Sequence, residues 1–149
     1  MKSIFNAKVL TEIRQRIDRV EASSRHQWGK MNAAQMLAHC AKVLEMANGT
    51  NVPPRVFIGR ILGPLVKPSI LGERPMPHNR PTDKTFVIAD DREFATEKIR
   101  LRDLVSDFGN AGETGCTSHE HSFFGRLSPQ EWGILTYKHL DHHLRQFGV

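Results

Sequence analysis

Three histidines stand within five residues near the end of the chain, in the run HLDHH: His139, His142 and His143. On a helix, at roughly 100° per residue, His139 and His143 lie about 40° apart and one turn above each other. Trp132 and Leu135 share that arc, Leu140, Leu144 and Phe147 flank it, and Lys138, Asp141 and Arg145 point elsewhere. The pair therefore belongs in or beside a buried stripe. Imidazoles in a low-dielectric interior are costly as cations and need partners. A divalent ion is one such partner, because this spacing lets two neutral rings converge on it. Hydrogen bonds or water at the core edge are the other.

His39 falls midway along a second apolar segment, at the margin of the stripe made by Ala33, Met36, Cys40 and Leu44. Helical bundles assemble metal sites from side chains on facing helices, and His39 opposite the His139/His143 pair would supply a third ligand. Three histidines without a fourth protein ligand leave coordination positions open, as catalytic metal sites do. His142 offers an alternative i, i+3 ligand or a supporting role beside the site. His121 has two readings, a fourth ligand or proton carrier, or a loop residue anchored by Phe123 and Phe124. Gln35 and Gln146 share arcs with the histidines and are candidates to orient them. Cys40 points about 100° away from His39 and reads as packing, as do Met36 and Met46.

Four helices must position these groups. Val9, Leu10, Ile13, Ile17 and Val20 recur at helical intervals and predict a helix over residues 7–22. A second runs from about Asn32 to Ala47, with Asn32 and Gln35 as a capping box and Asn48-Gly49 as its stop. A third starts near Asp90 or Asp91 and ends at Gly109, with Phe94, Leu101, Val105 and Phe108 on one stripe and Ile99 off it. The fourth opens at Ser128-Pro129-Gln130-Glu131, a capping box with proline at the first helical position, and closes at Gly148.

Residues 50–89 hold seven of the eight prolines. That density argues against a long regular helix, leaving room for a short one at Val56–Leu62. The segment reads as a crossover between helices 2 and 3 and not as a linker between domains. Short connections elsewhere then give an all-α, up-down-down-up four-helix bundle over a single domain, residues 1–149.

The chain's +5 charge is spread among acidic residues, as in Arg14, Arg16 and Arg19 among Glu12, Asp18 and Glu21. No basic run is interleaved with aromatics, and there is one tyrosine, so nucleic-acid binding is not expected. No apolar run approaches the roughly 20 residues that span a bilayer, and the N-terminus lacks a secretory h-region. Two cysteines, Cys40 and Cys116, make no disulfide framework, so the expected compartment is the cytoplasm.

The segment WGKMNAAQMLAHC, the Pro-containing crossover and the final YKHLDHHLRQF helix resemble the DinB/YfiT-like superfamily of metalloenzymes. More closely, HSFFGRLSPQEWGILTYKHLDHHLRQFG is similar to an uncharacterised branch of it, a domain of unknown function. The resemblance spans nearly the whole chain. It implies the same bundle and a divalent metal, commonly zinc or nickel, on three histidines at the positions of His39, His139 and His143. It also implies a thiol-dependent transferase or isomerase using a low-molecular-weight thiol such as bacillithiol, mycothiol or glutathione. This chain differs in its extra His142 and in the length of its crossover.

The expected function is a metal-dependent enzyme acting on a small molecule. Arg55, Arg60 and Arg74 are candidates to steer an anionic thiol. Hydrolysis at the same three ligands is the rival chemistry. A non-catalytic metal-binding bundle, acting through a partner or as a homodimer, is the rival class.

Overall fold

The computed structural model describes residues 1–78 and 83–149. Five α-helices run in order: α1 (Ala7–Arg19), α2 (Ala33–Ala47), α3 (Phe57–Leu71), α4 (Phe94–Ala111) and α5 (Pro129–Gln146). Short 3-10 turns at Lys84–Phe86 and Gly112–Gly115 join them, and no strand occurs among the described residues. The fold class is all-α. None of these helices is long and apolar enough to cross a membrane.

α1, α2, α4 and α5 correspond to the four expected helices. α1 and α2 each lie against both α4 and α5, while α3 sits outside, against α5. Ile13 and Ile17, Met36 and Leu37, Leu101 and Val105, and Trp132, Leu140 and Leu144 bring all four inner stripes into one buried cluster. Arg16, buried on α1, locks that helix to α5 through Asp141 at 2.7 Å and the Val149 carbonyl at 3.0 Å.

The helix ends follow their local chemistry. Both anticipated capping boxes form: Asn32 and Gln35 exchange bonds of 2.9 and 3.0 Å, and Ser128 and Glu131 bonds of 3.2 and 2.8 Å. α1 stops at Arg19, three residues short of expectation. The Lys98 ammonium takes the Asp18 and Val20 carbonyls at 2.8 and 2.7 Å, groups that a longer helix would have used. Gly109 does not end α4. A Cβ there would stand 2.6 Å from Leu10, so this glycine lets α1 and α4 approach, and the helix continues to a left-handed cap at Gly112.

The proline-rich segment departs most from expectation. Where at most a short helix at Val56–Leu62 is expected, it holds α3, fifteen residues long with Pro64 and Pro68 inside it. Each proline removes one intrahelical donor, freeing the carbonyl four residues earlier. The two prolines are themselves four apart on the exposed side, where water can serve the freed carbonyls. The opposite face is built of Gly59 and Gly63. A Cβ on either would collide with the Phe123 backbone, so the α3 backbone itself lies against that loop. Consequently the large side chains of its first turns point outward, with Phe57 and Leu65 76% and 73% exposed, and only Ile70 and Leu71 at its end enter the core.

Candidate metal centre

α2 and α5 cross so that His39, His139 and His143 meet. One ring nitrogen from each lies within 4.8 Å of the other two. The ring centroids are 5.0 Å apart for His39 and His139 and 4.7 Å for the other two pairs. His39 and His143 are buried, whereas His139 keeps an edge at the surface. This is the trio that the spacing pointed to.

Hydrogen bonds fix which nitrogen two of the rings offer. His39 Nδ1 lies 2.8 Å from the Phe86 carbonyl, which can only accept, so Nδ1 carries the hydrogen and Nε2 keeps its lone pair. Gln146 donates through Nε2 to the Trp28 carbonyl at 2.6 Å, which orients its Oε1 as an acceptor. His143 Nδ1–H donates to that oxygen at 2.8 Å, again leaving Nε2 bare. Pinning Nδ1–H on an oxygen is how proteins orient metal-binding imidazoles and raise their basicity.

His39 Nε2 and His139 Nε2 are 3.1 Å apart. Two nitrogens that are each ~2.0–2.1 Å from one ion stand about 3–3.4 Å apart at octahedral to tetrahedral angles. The residues present therefore fit a divalent ion, with no fourth His, Cys, Asp or Glu joining the group among the described residues.

Electrostatics agree with this fit. Burial lowers the His143 imidazolium to about pH 3, with His39 adding to the effect. Burial likewise lowers His39, against the pull of the Phe86 carbonyl, and drives His139 well below its ordinary range, reinforced by His143 and His39. At neutral pH all three rings are uncharged and their lone pairs are available.

The other candidates separate cleanly. His142 is not one of the converging three: its ring stands edge-on to His143 at 5.0 Å and to Trp28 at 5.6 Å, and His78 stacks on that indole at 3.7 Å and 11°. His121 is a loop anchor: its Nδ1 accepts from the Phe123 and Phe124 backbone N–H groups at 3.0 and 3.2 Å. Gln35 is committed to its capping box and to the Asp90 carbonyl, 3.2 Å away, and orients no histidine. Gln146 does. Cys40 is buried against the Met36 sulfur at 3.9 Å, and burial raises its thiol, which fits packing and not nucleophilic attack. Arg55 and Arg60 line a cleft between α3 and the loop before α5, but Arg74 is exposed elsewhere. Sequence reasoning did not find the Phe86 and Trp28 carbonyls, because a backbone acceptor has no residue-type signature.

Fold and site together define an all-helical protein with an inward-facing three-histidine cluster of open-site character. A family model described as "Protein of unknown function (DUF1569)" matches residues 3–148, and the chain belongs to that family. No curated protein and no solved structure matches it.

Proposed function

We propose that His39, His139 and His143 hold a divalent ion, zinc or nickel, and that the protein uses it as a thiol-dependent transferase or isomerase on a small molecule. The observation that carries the metal is the paired fixing of His39 and His143, each Nδ1–H donating to an oxygen and each Nε2 left with its lone pair, in a group whose ring nitrogens lie within 4.8 Å of one another. The thiol chemistry comes from the resemblance to the DinB/YfiT-like superfamily. The same reading takes α1, α2, α4 and α5 as its up-down-down-up bundle, with α3 carried on the long connection between α2 and α4. Support for that topology lies in the mutual packing of these four helices and the external seat of α3.

Within this reading the chain's own residues have definite tasks. The Phe86 carbonyl and Gln146 hold two rings at fixed tautomer and angle. The apolar surroundings keep the imidazoles neutral, and the surface edge of His139 leaves a way in for a ligand. An ion bound there supplies Lewis acidity, lowering the pKa of a thiol that it binds.

The test starts from protein purified without a His tag. Elemental analysis is expected to give about one ion per chain, lost in the His39→Ala, His139→Ala double variant. Zinc- or nickel-loaded protein, assayed with glutathione, bacillithiol and mycothiol against a panel of electrophiles, is expected to consume the electrophile only when a thiol is present, with the thiol used up in a transfer and regenerated in an isomerisation. Ester or amide turnover without thiol would assign hydrolysis instead. No turnover with a full complement of metal would assign a non-catalytic binding role.

A further inference from the structure

We infer that the cleft between α3 and the turn at His121–Gly125 is a second ligand site, for a small organic molecule bearing a doubly negative oxyanion group. The cleft encloses about 670 Å³ and draws four cations, Arg55, Arg60, Lys67 and Arg126, against one carboxylate, Glu120. Two of the cations are already matched. Arg55 pairs with Glu120 at 2.7 Å, and Lys67 with Glu131 at 2.8 Å. Arg60 and Arg126 make no ion pair among the described residues. Two exposed guanidiniums lining one cleft, one from α3 and one from the loop before α5, can together bind a doubly negative group, and their forked donors suit phosphate or carboxylate oxygens.

The lining is partly apolar, through Phe124 and Pro64, which suits an organic body more than a bare ion.

The walls are preformed. His121 and Gly125 close the turn with reciprocal backbone bonds of 2.9 and 3.1 Å. Gly125 has φ +77°, and a Cβ there would crowd the Arg55 guanidinium at 3.3 Å, so glycine keeps that space clear. Val56 N–H donates to the Ser122 carbonyl at 2.9 Å, tying the start of α3 to the same turn.

This site is separate from the histidine cluster. The Lys67–Glu131 pair places the cleft beside the first turn of α5, while His139 lies eight residues on, about 12 Å along the axis. The inference therefore stands or falls independently of the metal.

The experiment is calorimetric titration of phenyl phosphate, phthalate and inorganic phosphate into the full-length, chelator-treated chain. Saturable one-site binding is expected for phenyl phosphate, phthalate or both, with inorganic phosphate weaker for want of an apolar body. Whichever of the two organic probes binds tighter distinguishes a phosphomonoester from a dicarboxylate ligand. The Arg60→Ala, Arg126→Ala variant removes two exposed side chains and is expected to weaken binding about tenfold or more. The Arg25→Ala, Lys30→Ala variant removes the same charge from the α1–α2 loop and is expected to leave affinity within about twofold. No saturable binding by either organic probe would overturn the inference. So would equal losses in the two double variants, or binding that appears only after zinc is restored.

Discussion

α5 and α3 lie side by side and are built on opposite plans. α5 turns Trp132, Leu135, Leu140 and Leu144 inward and is held by side-chain burial. Until its last turn, where Ile70 and Leu71 enter the core, α3 turns Gly59 and Gly63 inward and is held by backbone proximity, with Phe57, Ile58, Ile61 and Leu65 outside. The difference shows where rigidity resides. The candidate metal ligands of α5 stand on a frame whose rotamers are locked by packing, whereas α3 buries large side chains only in its last turn, at Ile70 and Leu71. A site needing sub-ångström placement belongs on the first kind of helix.

Breaking the α5 side should have the largest effect. Trp132→Ala is expected to cost about 3–5 kcal/mol of global stability, measured by urea unfolding followed by circular dichroism. Because this frame does not depend on the ion, metal-stripped protein should stay helical and unfold cooperatively at a lower melting temperature. Loss of nearly all helical signal on chelation would show that the ion is structural.

Acid sharpens the comparison at the loop where the two helices meet. His121 protonates near pH 3 when folded, chiefly because burial disfavours its charged form, and near 6.5 when unfolded. Its folded value is lowered, so the stabilisation is complete above pH 6.5 and shrinks as acid protonates the unfolded state. The slope is about 1.4 kcal/mol per pH unit below that point. Comparing urea midpoints of the parent and a His121→Gln variant between pH 7 and 4.5 should show a shallower decline in the variant.

Gly63→Val tests α3 directly. Its side chain meets the Phe123 carbonyl, and overpacking of this kind costs about 1–3 kcal/mol. The cost should fall on the docking of α3: limited proteolysis within 57–71 should accelerate while the main unfolding transition barely moves. Smallest of all, Phe57→Ser on the exposed face should change stability by no more than about 0.5 kcal/mol, since little packing is lost. A larger loss would mean that the outer face of α3 is covered in solution.

The same contrast explains what could be read from the sequence. α5 announces itself twice, through its capping box and through apolar residues at helical spacing, so its histidines could be placed on a face. His39 followed because α2 carries the same kinds of signal. α3 reverses the rule that large apolar residues face inward, and its two prolines argue against helix. What rescues it is the placement of both prolines toward solvent, which depends on where the neighbouring loop lies. Gly109 misled for a related reason. Its signal is that of a helix stop, while its role is to admit Leu10, a contact 99 residues away in sequence. The orienting Phe86 and Trp28 carbonyls belong to loops that only tertiary folding brings to α2 and α5.

The central claim is that His39, His139 and His143 converge on one ion through Nε2, with Gln146 orienting His143 and His142 uninvolved. Competitive zinc titration of His143→Ala, Gln146→Leu and His142→Ala against the parent tests it directly. Losing a ligand should weaken binding about a hundredfold or more. Losing its orienting partner should cost about 10–100-fold. His142→Ala should stay close to the parent, because that ring, though 5.0 Å from His143, offers no nitrogen to the converging group. Loss of zinc binding in His142→Ala with retention in His143→Ala would contradict the account and place the site on the i, i+3 pair of His139 and His142.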